Sequence, residues 1–418
     1  MTAARPLSSS RSWLWFLVAA ALLTQTALNL ARPITTYKLL TLGADAATVG
    51  LVAAAYAVLP LVVVMWLGRL TERIPRLGLM LAAGALVLAV GAAGLAVAPN
   101  VGAVAAASAV LGLGHLVFTI GGQSSIARYA PQDQLDAGFG WFTAAFAAGQ
   151  LAGPLLAGIL LQSGWGAVPG ESMAGVTASL WLGGALSLLA VPLMIWRGCS
   201  DRPSSTHRQS VSSRDQASWG DGEVSSPPSP VQPSVWRILK TPAVPSHMLA
   251  SVALLAMTDI LTAFLPLVGE RAGLSPAWVG ALLAVRGGAS ILSRAFLPWL
   301  ARVLPRKALL LSSLYGTGLA LALLPLVLSE PWLAVALLSV GGFCMGLGQP
   351  ITMTMVSTAV PDHWRGAALA VRLMGNRAGQ VAMPLAAGFV AAPLGPAGAI
   401  WFSCAVLLVG GLEKTFRR

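Results

Sequence analysis

Long apolar stretches separated by short polar segments run through almost the whole sequence. A membrane-spanning helix needs about 20 consecutive, largely apolar residues, and twelve stretches of that kind can be placed. The predicted spans are residues 13–34, 48–67, 77–98, 102–125, 138–161, 174–196, 246–268, 277–298, 308–328, 332–357, 367–390 and 396–412. The pattern therefore predicts an all-α membrane protein whose twelve transmembrane helices form two six-helix bundles.

The two groups of six spans are separated by residues 197–240, which are rich in Ser, Pro, Arg, Asp and Gln. Such a segment has too few apolar side chains to fold alone, and it is predicted to be a linker. The expected organisation is a tail at 1–12, an N-terminal bundle at 13–196, a linker at 197–245, a C-terminal bundle at 246–412 and a second tail at 413–418.

An internal repeat relates the two bundles. Residues 148–158 return almost unchanged as residues 378–388, an offset of 230 residues. The same offset aligns Gly43 with Gly273 and Pro154 with Pro384, so the repeat extends over all six spans of each bundle. Parallel six-helix repeats are typical of transporters in which one half rocks against the other around a site at the midplane.

Small residues and prolines mark the repeated motif as a packing surface. Gly149 and Gly153 are four residues apart, which allows a neighbouring helix to approach closely. Pro154 and its counterpart Pro384 each remove a backbone donor and bend their helix. We expect these four residues to lie where one half moves against the other.

Composition and charge exclude several classes of protein. The chain is 56% hydrophobic and 10% charged, with a mean hydropathy of +0.77, which excludes a soluble globular protein. The net charge of +12 does not indicate nucleic-acid binding, because the Lys and Arg residues lie between apolar spans. Three widely spaced cysteines give no metal-binding pattern, and we expect no metal and no cofactor.

The distribution of Lys and Arg predicts the topology. If both termini are cytoplasmic, nineteen of these residues lie on the cytoplasmic side, whereas only Lys38 and Arg271 lie on the other. Cytoplasmic loops retain positive charge. The chain is thus predicted to be a multi-pass protein of the cytoplasmic (inner) membrane, with both termini in the cytoplasm. The lipid bilayer is expected to surround it, and it is expected to be a monomer.

Residues 68–76, between the second and third spans, read Gly-Arg-Leu-Thr-Glu-Arg-Ile-Pro-Arg. This loop resembles the Gly-x-Leu-Ala-Asp-Arg-x-Gly-Arg signature of the major facilitator superfamily, with Glu72 and Pro75 in place of Asp and Gly. The resemblance to bacterial twelve-helix members implies that Gly68, Glu72, Arg73 and Arg76 form a latch at the cytoplasmic side. The arginines alone are also explained as ordinary positive residues of a cytoplasmic loop.

Ionisable residues inside the predicted spans are few. Each costs about 2.5–3.5 kcal/mol on insertion scales, so those present are usually paired, exposed to water or functional. The charged ones are Arg32 in span one, Asp259 in seven, Arg286 and Arg294 in eight, and Arg372 and Arg377 in eleven, and His115 lies at the middle of span four. Spans three, six, nine and twelve contain none, and these four are the outer supports in the superfamily that the chain resembles.

Asp259 is the one carboxylate within the predicted spans, and it is the predicted proton carrier. The alternative is a structural pair with Arg286 that never titrates. His115 is a second candidate proton carrier because the ordinary pKa of histidine lies near neutrality, or else a neutral hydrogen-bonding residue.

The remaining polar residues predict a substrate site. Arg372, Asn376 and Gln380 share one helical face, with Arg377 on an adjoining face. Together with Arg286 they give an excess of positive charge, which favours a substrate that carries a carboxylate or a phosphate. The alternative is that Arg372 reaches the cytoplasmic interface and that Arg377 bonds helix carbonyls or the loop around Glu72. Residues predicted to line the outer part of the cavity are Gln25, Asn29 and Arg32.

These features predict a secondary active transporter that moves a small organic solute by alternating access with proton coupling. The Gly-Pro motif of the fifth span resembles one found in antiporters and favours export. The surplus of arginine supports an alternative, a proton symporter that imports an organic anion. A membrane-embedded receptor or enzyme is the remote alternative, and no enzymatic activity is expected because no catalytic motif is present.

Overall fold

The computed structural model describes residues 12–130, 134–162, 172–198, 235–241, 243–361 and 364–416. In these ranges the chain forms twelve long helices, a short helix at Val235–Leu239 and no β-strand. The long helices are α1 (Ser12–Thr41), α2 (Ala46–Arg73), α3 (Leu77–Val97), α4 (Val101–Tyr129), α5 (Leu135–Gln162), α6 (Ser172–Gly198), α7 (Val244–Arg271), α8 (Pro276–Val303), α9 (Arg306–Leu323), α10 (Pro331–Thr358), α11 (Arg365–Leu394) and α12 (Pro396–Phe416). Predicted tail residues 1–11 and 417–418 and linker residues 199–234 lie outside the described ranges.

The predicted spans agree with the long helices except at some ends. Helix α1 continues through Pro33 to Thr41, whereas the predicted span ends at residue 34. Helix α9 stops at Leu323, five residues before the predicted end, because Pro325 lies in a 3-10 turn that follows it. Helix α12 extends through residues 413–416, which the sequence had assigned to the tail.

Eleven of the twelve long helices described are long and apolar enough to cross a membrane. The exception is α11, whose apolar run is interrupted by Arg372, Asn376, Arg377 and Gln380. A helix with four polar residues in nine positions must bury them in protein or around water, since lipid offers no partner. The protein is a multi-pass membrane protein, and α11 is the helix with the most polar interior.

Two equivalent turns display the internal repeat in the backbone. Gly43 after α1 and Gly273 after α7 both have positive φ, 73° and 71°, a conformation that glycine adopts without strain. Two residues later, the side chains of Asp45 and Ser275 cap α2 and α8 by accepting the third amide of each helix, at 2.9 and 3.3 Å. The repeat therefore specifies the same turn twice.

The two halves also pack alike. In the first half α1 contacts α5 and α6, α3 contacts α4 and α6, and α2 contacts α4. Each of these contacts has its counterpart six helices later. We call the end of the bundle at which α1 begins the basal end, and the opposite end the distal end.

The halves meet along α2 with α11, along α5 with α8, and where α1 crosses α7. Near the distal end of α2, a Cβ atom at Gly50 would lie 2.5 Å from the carbonyl oxygen of Pro384 and 2.8 Å from Cα of Gly388. No side chain fits in that space, so α2 and α11 are in backbone contact there.

The repeat-related seam joins α5 to α8. A Cβ atom at Gly280 would overlap the carbonyl oxygen of Pro154 and would lie 3.0 Å from Cα of Gly158. Both seams lie near the distal ends of their helices, and Thr36 of α1 adds a hydrogen bond of 2.9 Å to the carbonyl oxygen of Ala263 in α7. The halves are therefore closed against each other at the distal end.

Enlarging Gly50 should open the distal seam. Overpacking costs about 1–3 kcal/mol, which corresponds to a roughly 5- to 150-fold shift toward conformations in which the seam is separated. In a cysteine-free chain carrying Thr36→Cys, Gly50→Ala should raise the rate of thiol modification by an impermeant reagent by such a factor, because Thr36 is buried at this closure.

The matched control is Gly140→Ala in α5, where a Cβ atom meets nothing within 4 Å. It should leave the modification rate of the cysteine at position 36 unchanged. Because the seams are related by the repeat, Gly280→Ala should act like Gly50→Ala. Unchanged rates in both variants would show that the glycines do not hold the distal end closed.

Candidate functional site

A buried ion pair connects the two halves at the centre of the molecule. Nη2 of Arg32 in α1 donates to Oδ1 of Asp259 in α7 at 2.7 Å. Asp259 is 5% exposed. Removing two charges from water costs several kcal/mol each unless geometry and further hydrogen bonds compensate, so the neighbours of this pair determine whether it is stable.

The second carboxylate oxygen is bound from α11. Nε2 of Gln380 donates to Oδ2 of Asp259 at 2.9 Å, and Oε1 of Gln380 accepts from Nη1 of Arg377 at 2.8 Å. Both oxygens of Asp259 are thus occupied, and the amide of Gln380 links the carboxylate to a second arginine. Helix α11 brings Gln380 and Arg377 together because they are three residues apart on neighbouring positions of one face.

The network continues into the first half through Tyr56 of α2. The guanidinium of Arg32 lies 4.9 Å from the centre of the Tyr56 ring, a cation–π distance. The hydroxyl of Tyr56 is 2.6 Å from Nδ1 of His115 in α4. A chain of side chains therefore runs from His115 through Tyr56, Arg32, Asp259 and Gln380 to Arg377.

Tyr56 is a member of this chain that sequence reasoning missed. A search for charged residues passes over it because tyrosine resembles an apolar residue in a hydropathy pattern. One signal was present: Tyr56 lies within a span, whereas membrane tyrosines are enriched at the interfaces. Gly112 of α4 permits backbone contact with the Tyr56 carbonyl, which places α2 and α4 close enough for the bond to His115.

Arg286 of α8 is buried, with 3% of its surface exposed, and it makes no hydrogen bond or ion pair with any residue of the described ranges. The sequence allowed for a pair between Asp259 and Arg286. The structure instead pairs Asp259 with Arg32, while Arg286 lies within electrostatic range of both. An unpaired buried guanidinium beside the central ion pair is a candidate anion-binding group.

Arg372 lies apart from the central chain. Its Nη2 atom donates to the carbonyl and side-chain oxygens of Gln349 and to the hydroxyl of Thr352, all in α10. Oδ1 of Asn376 accepts from the hydroxyl of Ser251 in α7. The substrate roles of Arg372 and Asn376 remain predictions, and the described bonds tie three helices of the second half together.

Gln25 and Asn29 face the glycines of α5. Nδ2 of Asn29 donates to the carbonyl oxygen of Gln25 at 2.8 Å. Cβ atoms at Gly149 and Gly153 would lie 2.5 Å from Cβ of Gln25 and 2.7 Å from Cβ of Asn29, so these glycines pack α5 against α1 within one half. The expected contact between the halves is made instead by Pro154 and, equivalently, by Pro384.

The latch predicted at the basal end is partly described. Arg73 and Arg76 are exposed, and Gly68 has no neighbour within 4 Å of an added Cβ atom. The side chain of Glu72 lies outside the described part of the chain. Neither arginine forms an ion pair with a described residue, and the latch remains a prediction.

Arg128 at the end of α4 holds this loop, a role that the sequence did not suggest. Its Nη1 and Nη2 atoms donate to the carbonyl oxygens of Ile74 and Thr71 at 2.7 and 2.6 Å. These oxygens belong to the last turn of α2, where carbonyls have no partner within the helix. A guanidinium is suited to this position because it can bind two carbonyls at once.

A small cavity of about 30 Å³ adjoins the central ion pair on its distal side, enough for one or two water molecules. Hydroxyl groups line part of it. Its lining residues are Arg32, Thr35, Thr36, Leu39, Val49, Val52, Ala53, Tyr56, Ser108, Leu111, Thr262 and Ala263. The pair is thus separated from the distal end by a small, partly polar pocket and by the closed seams.

Two pseudo-symmetric six-helix halves that meet around a buried charged site define a secondary transporter of the membrane, not an enzyme. The chain belongs to the Major Facilitator Superfamily, whose family model matches residues 14–341 and 279–416. No curated protein sequence matches the chain.

Solved transporters share the fold at low sequence identity. The nucleoside transporter NupG is 14% identical, with a TM-score of 0.74 over 97% of this chain and 100% of its own. A bacterial homologue of the human lysosomal transporter Spinster is 15% identical, with a TM-score of 0.70 over 97% of each chain. A peptide transporter, POT, is 17% identical, with a TM-score of 0.69 over 98% of this chain and 95% of its own.

Removing the guanidinium of Arg372 should reduce stability. A hydrogen bond to a charged group contributes about 1.5–3 kcal/mol, so Arg372→Gln should lower the free energy of unfolding by at least about 2 kcal/mol. Thermal unfolding of the purified protein in detergent measures this loss as a lower Tm.

Arg294→Gln provides the matched control, because Arg294 is exposed in α8 and makes no hydrogen bond with a described residue. Its Tm should remain that of the unmodified chain. A normal Tm for Arg372→Gln, together with weaker substrate binding, would instead assign Arg372 to the substrate site.

Proposed function

We propose that the protein is a proton-coupled secondary transporter of a small organic anion, working by alternating access in the cytoplasmic membrane. The observation that supports this proposal is the ion pair of Arg32 and Asp259, formed across the two halves in a site with more guanidinium groups than carboxylates. The proposed substrate class, coupling ion and direction of transport are argued from that pair and its surroundings.

Asp259 is the proposed proton carrier. As long as it is ionised, it is held by Arg32 and Gln380. An anionic substrate that binds Arg32 displaces the carboxylate, and a buried carboxylate without its cation is costly. Asp259 then takes up a proton, so that the anion and the proton enter the site together.

The surplus of positive charge determines the class of substrate. Arg32, Arg286 and Arg377 surround one carboxylate, and only Arg32 is paired with it. A carboxylate or phosphate group offers the acceptor oxygens that guanidinium groups bind in pairs. Binding such a group neutralises a charge that the site otherwise leaves uncompensated.

The same pair couples binding to movement. Arg32 belongs to the first half, and Asp259 belongs to the second. Once the substrate occupies Arg32 and a proton occupies Asp259, no ion pair crosses the interface at this point, and the halves are free to separate at the distal seams. Alternating access requires a contact of this kind, present in one loading state and absent in another.

This coupling moves the anion and the proton in the same direction, which makes the protein an importer when the proton gradient is directed inward. A second candidate is export in exchange for protons, and the motif at Gly149, Gly153 and Pro154 favours it through its resemblance to antiporters. NupG and POT transport nucleosides and peptides by their names, but identities of 14–17% support the fold alone.

The proposed orientation places both termini, the linker at 197–245 and the basal end in the cytoplasm, because nineteen Lys and Arg residues lie on that side. The predicted latch of Gly68, Glu72, Arg73 and Arg76 then closes the cytoplasmic side, with Arg128 holding its backbone. The protein is proposed to work as a monomer, since each chain supplies both halves of the site.

Neutralising Asp259 should separate transport from proton coupling. In proteoliposomes with an acidic exterior, the unmodified protein should accumulate at least one of three radiolabelled probes: lactate, benzoate and glycerol 3-phosphate. Asp259→Asn should abolish accumulation against a gradient and retain exchange of the same anion across the membrane, because no group takes up the proton.

Asp45→Asn is the matched control, since Asp45 lies in the loop between α1 and α2 and asparagine caps a helix equally well. It should accumulate the anion normally. Undiminished accumulation by Asp259→Asn would contradict the assignment of the proton carrier. Loss of a preloaded anion under the same gradient would favour export in exchange for protons.

A further inference from the structure

The centre of the molecule contains buried nitrogen atoms with no hydrogen-bond partner. Within the described ranges these include Nε2 of His115 in the first half and Nε of Arg377 and Arg286 in the second. A buried donor without a partner costs about 1–3 kcal/mol. The chain of contacts through Tyr56, Arg32, Asp259 and Gln380 connects His115 to Arg377, so free donors of both halves belong to one network.

The bond to Tyr56 determines which nitrogen of His115 carries the hydrogen. When the tyrosine hydroxyl donates to Nδ1, the neutral imidazole carries its hydrogen on Nε2. The guanidinium of Arg32 lies over the ring of Tyr56, whose hydroxyl bonds this imidazole, so a protonated His115 would add a further positive charge to the same region. In this tautomer His115 presents Nε2–H as a buried donor without a partner.

Aromatic packing holds the imidazole in this orientation. Its ring lies 6.3 Å from the ring of Tyr56, nearly parallel to it, and 6.2 Å from the ring of Phe146 in α5. Three helices of the first half thus fix its direction before any ligand is bound. A donor fixed in this way loses little conformational entropy when it binds an acceptor.

We propose that Nε2–H of His115 and the guanidinium of Arg377 bind the carboxylate of the transported anion from opposite halves, and that Tyr56 positions His115 for this bond. The inference rests on the proposed function, which it deepens by naming the recognised group and two of its ligands. It assigns His115 to the substrate and leaves the proton to Asp259, whereas the sequence suggested His115 as a second proton carrier.

A carboxylate satisfies both halves at once. One oxygen accepts from Nε2–H of His115, and the other accepts from Nε–H of Arg377, the donor of that guanidinium without a partner. The two free donors gain partners only when the halves meet around the bound anion. Recognition by both halves therefore favours the occluded state, as transport requires.

The test measures uptake kinetics for the probe that the unmodified protein accumulates. His115→Phe keeps an aromatic ring and removes the donor, and it should raise KM roughly 10- to 100-fold, the loss expected for a hydrogen bond to a charged group. The ratio of protons to anions transported should not change. His115→Gln carries an amide donor near the position of Nε2 and should recover a large part of the affinity.

Tyr56→Phe tests the positioning role. It leaves His115 in place but removes the hydroxyl that bonds Nδ1, so the ring can rotate and the hydrogen can move to Nδ1. KM should therefore rise by a smaller factor than in His115→Phe. Ser187→Ala is the matched control, because the Ser187 hydroxyl is another buried group without a partner but lies in α6, away from the site. It should leave KM unchanged. If His115→Phe does not fold, the KM values of His115→Gln and Tyr56→Phe test the role of His115 instead.

The outcomes separate this inference from the function on which it rests. An unmodified protein that accumulates none of the anions overturns both. Accumulation with an unaltered KM in His115→Phe and His115→Gln overturns the role of His115 alone. A lower proton-to-anion ratio in the His115 variants makes His115 a proton carrier and also overturns the inference. Uptake of glycerol 3-phosphate without any carboxylate overturns the choice of carboxylate.

Discussion

The ion pair between Arg32 and Asp259 is the interaction on which the rest of the structure depends. Its two charges come from different halves, so it exists only where α1 and α7 meet. A buried pair of this kind is stable only when its remaining bonding capacity is satisfied. Gln380 provides a bond to the carboxylate, and the ring of Tyr56 covers the guanidinium. The centre of the bundle is thus held by contacts that break when Asp259 loses its charge or Arg32 binds another anion.

The internal repeat is preserved in the backbone framework but not in the charged site. The capped turns at Gly43 and Gly273 and the two distal seams follow the repeat closely. The charged site does not, because each ionisable residue stands opposite a residue of different character. The repeat pairs Arg32 with Thr262, Asn29 with Asp259, Tyr56 with Arg286, and Ala147 with Arg377. A duplicated framework therefore allows one half to move against the other, while the unequal side chains give the interface its polarity.

The sequence was sufficient to predict the helices, the two halves and the location of charge, because each leaves a periodic or compositional signal. It could not predict which side chains and which helices contact one another. The sequence suggested Arg286 as the partner of Asp259, whereas the structure pairs Asp259 with Arg32, because the partner depends on how α1 and α7 cross. Likewise, the spacing of Gly149 and Gly153 indicated close packing but not that α1 of the same half is the neighbour. Tyr56 was missed because an aromatic ring contributes to hydropathy as an apolar residue does.

The balance of donors and acceptors argues for an anion over a neutral solute. Both oxygens of Asp259 and the side-chain oxygen of Gln380 already accept hydrogen bonds. The nitrogens left over on Arg286 and Arg377 are donors, and so is Nε2 of His115 when Tyr56 donates to Nδ1. A neutral polyol would bring as many donors as acceptors and would leave this imbalance in place. A carboxylate brings acceptors alone, together with the negative charge that the arginines lack, so it corrects hydrogen bonding and charge in one step.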